Sequence, residues 1–126
     1  MVLPKILIAE DDKVTQALYK KGLPDKLCTT KIAGNGQDTI SLFEKWRPDI
    51  ILLDYGLPII NGYQALRAIR GSEFGAETTI IMVSSKADKD HIVACARLGI
   101  QGYIVKPFKT DEIAHKIFQL HKATKK

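Results

Sequence analysis

The chain has only two cysteines in 126 residues, Cys28 and Cys95. Neither belongs to a CxxC pair and each sits among apolar or small residues. Both are therefore expected to be buried thiols in a reducing compartment, not a disulfide or a metal clip. No apolar run approaches the roughly 20 residues that a membrane helix needs, so no membrane insertion is expected. The opening MVLPKILIAEDD is too short and too soon acidic for a secretory signal, which points to a cytoplasmic location. Arginine is scarce, with four among the 19 Lys and Arg residues. The net charge of +5 would suit nucleic acid or an acidic protein. A Lys-rich, Arg-poor composition without interleaved aromatics argues against direct nucleic-acid binding. No repeat, low-complexity stretch or linker divides the sequence, and its length suits one domain spanning residues 1–126.

The most informative stretch is IILLDYGLPIING, from Ile50 to Gly62. Four consecutive apolar residues suit a strand buried on both faces, and the run stops on a carboxylate, Asp54. The Gly and Pro residues that follow form a loop. An acid held there by rigid backbone can bind a cation, orient a substrate or act as a nucleophile; it can also simply cap a turn.

The rest of the chain repeats the theme. KILIA (Lys5 to Ala9) is a strand ending in Glu10, Asp11 and Asp12, and the helix after it, Lys13 to Lys21, carries Val14, Ala17 and Leu18 at helical spacing. Leu27 to Ala33 suits an edge strand. Gly34-Asn35-Gly36 is a turn before a helix with Ile40, Phe43 and Trp46 on one face. Asn61 caps a third helix with Tyr63, Leu66 and Ile69. Thr78 to Val83 is a strand ending in Ser84-Ser85-Lys86. Asp88 caps a helix with Ile92, Cys95 and Ala96 inward and Gly99 as its stop. Gly102 to Val105 is a strand ending in Lys106-Pro107, and Thr110 caps a last helix with Ile113, Ile117 and Leu120 inward. The end HKATKK is expected to fray. Five strand–helix units in strict alternation predict a parallel sheet with helices on both faces, its site at the carboxyl ends of the strands.

At those ends fall the acids after strand one, Asp54 after strand three, Ser84 after strand four and Lys106 after strand five. Crowded carboxylates call for a cation, and hard oxygen ligands favour Mg²⁺. A metal beside a carboxylate nucleophile, with Ser and Lys able to hold oxyanions, is equipment for phosphoryl transfer to Asp.

With EDD after strand one, DYGLPIING at the third, the Ser after IIMV and GYIVKPF at the fifth, the chain resembles a response regulator receiver domain of chemotaxis type from two-component signalling. The resemblance covers essentially all 126 residues. It implies an α/β flavodoxin-like (βα)5 three-layer sandwich with a five-stranded parallel sheet in the order 2-1-3-4-5. It implies Asp54 as phosphoacceptor, with Lys106 and Ser84 holding phosphoryl oxygens. It implies Mg²⁺ bound by Glu10, Asp11, Asp54 and the Gly56 carbonyl, with Asp11 a direct ligand, and a cis peptide before Pro107. Ser84 and Tyr103 would form a switch, Tyr103 turning from exposed to buried as Ser84 moves inward.

Asp12 is expected to cap the first helix, and Ser85 to be a packing residue. His91, His115 and His121 are expected on helix surfaces away from the crevice. Gly34-Asn35-Gly36 looks unusually flexible for the family, Leu57 replaces a frequent Met and Gly102 a polar residue. Gly56 and Lys86, flanking the expected phosphoryl group, should affect how a hydrolytic water reaches it, which leaves the phosphate lifetime open. The implied partners are a sensor histidine kinase or histidine phosphotransfer protein, and a downstream target at the face of the fourth helix, fifth strand and fifth helix. That face carries Lys89, Arg97, Lys109 and Lys116. The protein would be a monomer or weak dimer, catalysing only its own phosphorylation and dephosphorylation. A stand-alone receiver is the first expectation, a receiver of a longer regulator or hybrid kinase the second. Three competing readings are weaker. EDD lacks the hydroxyls and glycines of a flavin phosphate loop, the five intact site positions oppose a degenerate receiver, and an aspartyl-phosphate hydrolase would carry its nucleophile after the first strand.

Overall fold

The structure is a computed structural model that describes residues 2–85 and 88–124. Strands β1 (Lys5–Ala9), β2 (Thr29–Ala33), β3 (Ile50–Leu53), β4 (Thr79–Ser84) and β5 (Gly102–Val105) alternate with helices α1 (Lys13–Gly22), α2 (Gly36–Trp46), α3 (Gly62–Arg70), α4 (Lys89–Leu98) and α5 (Ile113–Thr124). All pairings are parallel and the order is β2-β1-β3-β4-β5, as expected.

The sheet is buried on both faces because β3 is apolar throughout and β1 and β4 are apolar except at their ends, Lys5, Thr79 and Ser84. Alternate residues feed two cores. Leu7, Ile51, Leu53, Ile80 and Met82 pack with Phe43, Leu66, Ile69 and Cys95 of α2, α3 and α4. Ile6, Ile8, Ile50, Leu52, Ile81 and Val83 pack with Tyr19 of α1 and Ile113 and Ile117 of α5. The three layers follow from this division of two helices and three. Each fully buried Leu or Ile contributes about 1.5–3 kcal/mol, so this interior holds the strand ends rigidly in place. Both cysteines are buried free thiols.

Caps fix the helices where the sequence suggests. Asp12 accepts from the Thr15 N–H at 2.9 Å, and Asp88 from the His91 N–H at 2.9 Å. Asn61 and Gln64 form a reciprocal capping box. Gly99, at φ 100°, ends α4 as expected.

Several expectations need correction. Val14, Ala17 and Leu18 have the helical spacing expected, but that spacing does not mark the buried side of α1. They are exposed, and the buried residues are Tyr19 and Gly22. Tyr19 wins because its ring stacks on Phe108 at 4.7 Å and fills the space beneath α5. Ala96 of α4 faces outward, leaving Cys95 as that helix's buried residue. Thr110 does not immediately precede helix α5 as a cap: residues 110–112 form a turn, the Ile113 N–H bonds the Lys109 carbonyl at 3.1 Å, and the helix starts at Ile113. At its other end α5 continues through His121 to Thr124. β2 begins at Thr29, not at Leu27, and β4 runs one residue further, to include Ser84. Gly36 is no hinge: a Cβ there would lie 1.9 Å from the Ile60 carbonyl oxygen, so glycine is present for close packing of the β3–α3 loop.

Candidate functional site

Each polar residue of the crevice stands at or just past the end of a strand, with its main chain still tied to a neighbour. The Glu10 N–H bonds the Ala33 carbonyl at 2.9 Å, Asp54 bonds Ala9 at 3.0 Å, and Lys106 bonds Ser84 at 2.9 Å. The sheet therefore sets the positions of these side chains, while the loops beyond are free to carry Asp11 and Gly56. The β3–α3 loop folds back because the Gly62 N–H bonds the Tyr55 carbonyl at 2.8 Å. A Cβ at Gly62 would lie 2.2 Å from the Asp54 carbonyl oxygen, so only glycine allows that approach.

Carboxylate oxygens of Glu10, Asp11 and Asp54 lie within 4.8 Å of one another. Glu10 is 1% exposed and Asp54 8%, whereas Asp11 opens to solvent. The Lys106 ammonium donates to Glu10 Oε1 at 2.6 Å and to Asp54 Oδ1 at 3.1 Å. Glu10 also accepts from the Asp12 N–H at 3.1 Å.

Burial pushes the Glu10 carboxyl above its usual range; the Lys106 and Asp12 hydrogen bonds oppose that push, and the Asp54 charge adds to it. For Lys106, burial alone would lower the pKa. The Glu10 hydrogen bond and the two carboxylate charges outweigh it, so the ammonium is held above its ordinary value. Three acids beside one amine leave an excess of negative charge suited to a hard divalent cation.

Ser84 is buried, 2% exposed, and Ser85 beyond it is exposed. A hydrogen bond joins Ser84 to the Tyr103 phenol, whose ring is half-buried. Tyr103 thus already reaches inward, which modifies the expectation of an exposed ring. The Lys106–Pro107 peptide is cis. Gly56 stands beside the acid: a Cβ there would lie 3.8 Å from Asp54 Oδ2. Lys86 lies outside the described residues, so its expected place beside the phosphoryl group is not described.

His91 and His121 are half-buried, against the expectation of surface residues. Imidazole Nδ1 of His121 shares a hydrogen bond with the Thr79 hydroxyl at 2.8 Å. The His91 ring packs edge-to-face between Tyr55 and Tyr103, at centroid distances of 3.7 and 6.1 Å. Its partners come from beyond β3 and from β5, so no local periodicity reveals them. His115 is exposed as expected.

A doubly wound α/β protein with an acidic crevice and a fixed amine at the carboxyl ends of its strands is the class that these features define. The model of the response regulator receiver domain matches residues 6–118, and the chain belongs to that family. It is 32% identical to the chemotaxis protein CheY of Pseudomonas aeruginosa, over 90% of this chain and 92% of that protein. It is 34% identical to the probable C4-dicarboxylate response regulator DctR of Bacillus subtilis, over 86% of this chain but 48% of that one. The chain thus spans nearly all of the first relative and about half of the second. Among solved structures, it resembles the receiver domain of sensor histidine kinase PA1611 from Pseudomonas aeruginosa PAO1, described with a magnesium ion coordinated in its active-site cleft. The TM-score is 0.86 at 29% identity, over 96% of this chain and 99% of that one.

Proposed function

We propose that this chain is a phosphoacceptor receiver: Asp54 takes a phosphoryl group from a histidine of a sensor kinase or phosphotransfer protein and thereby changes a protein-binding face. The observation that carries this reading is the Glu10–Asp11–Asp54 cluster with Lys106 bonded to two of its members. The donor set is all hard oxygen and fits Mg²⁺, with Glu10, Asp11, Asp54 and the Gly56 carbonyl as the residues that would hold it. When bound, the ion neutralises the carboxylates and the incoming phosphoryl oxygens. Cytoplasmic action follows from the proposed donors; among the described residues no helix is long and apolar enough to cross a membrane.

In the transfer, an Asp54 carboxylate oxygen attacks phosphorus. The P–O bond forms as the P–N bond to the donor imidazole breaks, and that electron pair returns to the imidazole nitrogen. Lys106 leaves Asp54 Oδ1 for a phosphoryl oxygen, a charge-assisted bond. Ser84 donates its hydroxyl proton to another. A serine hydroxyl has one proton to give, so Tyr103 must then act as donor to Ser84. That exchange ties the state of Asp54 to β5. No chemistry beyond this phosphorylation and its reversal is assigned to the chain.

Val14 and Leu18 are 69% and 38% exposed. Leu18 shares a recess of about 310 Å³ with Lys106, Pro107 and Phe108, which gives the phosphodonor an apolar seat beside the crevice. On the α4–β5–α5 face, Tyr103, Val105, Pro107, Lys109 and Lys116 line a groove of about 380 Å³. Lys89, Arg97, Lys109 and Lys116 are exposed there, so the downstream partner is an acidic protein surface. The chain acts as a monomer or weak dimer. A stand-alone receiver and a receiver of a longer regulator are both compatible with this transfer, since the relatives include a protein of about this length and one about twice as long.

Acetyl phosphate with Mg²⁺ should add one phosphoryl group to wild type and none to Asp54→Asn, as read by intact mass. Labelling that persists in Asp54→Asn on a histidine would overturn the assignment.

A further inference from the structure

The Tyr55–His91–Tyr103 stack joins three elements. Tyr55 follows Asp54 directly, at the start of the β3–α3 loop, and Tyr103 lies on β5 with its phenol on Ser84. His91, in the first turn of α4, meets Tyr55 at 3.7 Å and Tyr103 at 6.1 Å between centroids, with interplanar angles of 86° to both. Edge-to-face contacts of this kind are directional, so rotating one ring displaces the next. The second observation is the ring's polar atom. His91 Nε2 is buried without a hydrogen-bond partner among the described residues. A buried ring nitrogen left unpaired is unfavourable, so the side chain is held there by its two aromatic neighbours and not by its polarity.

We propose that His91 is the positioning residue that couples the loop after Asp54 to Tyr103, acting as a flat wedge between the two rings. The inference rests on the function proposed above for its purpose, but not for its geometry. Movement of the β3–α3 loop shifts Tyr55, and His91 transmits the shift to Tyr103 independently of the Ser84 hydroxyl. This chain thus has two routes from the acid to β5, one polar and one through packing.

The wedge is a matter of shape, so His91→Phe should preserve it while removing the unpaired nitrogen, and His91→Ala should abolish it. Two measurements test this. In the free protein, a double-mutant cycle of Tyr55→Leu and Tyr103→Leu by urea unfolding should show coupling of roughly threefold or more in the unfolding constant. That coupling should persist with His91→Phe and vanish with His91→Ala. Should the alanine variant not fold, His91→Leu, which fills volume without a flat edge, replaces it. Coupling that survives loss of the ring, or that is absent from the wild-type background, overturns the proposal.

The second measurement adds beryllofluoride with Mg²⁺ and follows amides by NMR. Wild type and His91→Phe should respond both beside Asp54 and around Tyr103, whereas His91→Ala should respond at Tyr103 much less. A full Tyr103 response in His91→Ala also overturns the proposal. If wild type shows no response beside Asp54, the phosphoacceptor reading fails, and the free-protein cycle alone decides the role of His91.

Discussion

Ile59 offers a sharp test of the backbone argument. It holds φ 71° in the loop beyond Asp54, one of two described non-glycine residues with positive φ. A β-branched residue is poorly suited to that region, where an L side chain crowds the following carbonyl at a cost of about 1–2 kcal/mol. The side chain is 78% exposed, so little burial opposes its removal. The Ile60 N–H bonds the Pro58 carbonyl at 2.8 Å, closing a γ-turn on Ile59, and asparagine, unbranched at Cβ, crowds that turn less. Ile59→Asn should therefore stabilise the free protein by about 1 kcal/mol, allowing for strain only partly relieved. With an unfolding entropy of about 2.1 cal/mol/K per residue, that corresponds to a rise in Tm of about 4 °C. Arg47, at φ 52°, is the control. Its guanidinium carbon lies 3.3 Å from the Phe74 ring centroid, so Arg47→Asn relieves similar strain but loses a cation–π contact and should gain much less. Thermal and urea unfolding of both variants by circular dichroism are the assay. A Tm for Ile59→Asn at or below wild type, or an equal gain for Arg47→Asn, would refute the reasoning.

Two further outcomes are expected. Arg70, half-buried, donates to the carbonyls of Gly75, Gly99 and Thr78 and to Gln101 Oε1, clasping the α3–β4 and α4–β5 connections. Arg70→Met should cost about 3 kcal/mol by urea unfolding, since four acceptors lose a shared donor, and Arg70→Lys should recover only part because an ammonium lacks the planar fork. Lys106→Met should also destabilise, in a pH-dependent way. A carboxyl whose folded pKa is raised, as Glu10's is, contributes stability below its unfolded value near 4.5 that is lost as pH rises through the folded value. Removing the ammonium raises that folded value further, so the deficit against wild type should be largest near neutral pH and shrink as pH falls through the carboxylate range. A deficit that grows on acidification would show that Lys106 does not stabilise these acids in their charged form.

Much of this site is legible in the sequence because apolar strands ending in acids are a signal carried by consecutive residues. Asp54 after IILL and Glu10 after KILIA declare both their element and their end of the sheet without any tertiary knowledge. The β4 serine and the β5 lysine follow from the same pattern. What escapes is carried by contacts between distant loops. Arg70 reaches Gly99 and Gln101, 29 and 31 residues on, through main-chain carbonyls and an amide that any sequence offers everywhere. His91 meets rings on two other elements, and nothing within its own helix marks the inward direction. Gly36 reads as flexible because sequence gives its missing Cβ but not the Ile60 carbonyl that occupies the space.

Helix α1 differs from these cases, because its apolar spacing is plain in the sequence but does not mark its buried side. Val14, Ala17 and Leu18 have helical spacing, yet the core takes Tyr19 in their place. A single apolar side chain left in water needs no explanation, because much of any protein surface is apolar. Here two exposed aliphatics on α1 and Ile59, in an unfavourable backbone conformation, all lie on elements that leave the crevice. Folding alone favours neither the exposure nor the strain, and local rules fail most often where a surface is retained for a partner. On the function proposed above, this rim of the crevice is where a phosphodonor would approach Asp54, so replacing Val14 and Leu18 should slow transfer from such a donor more than labelling by acetyl phosphate.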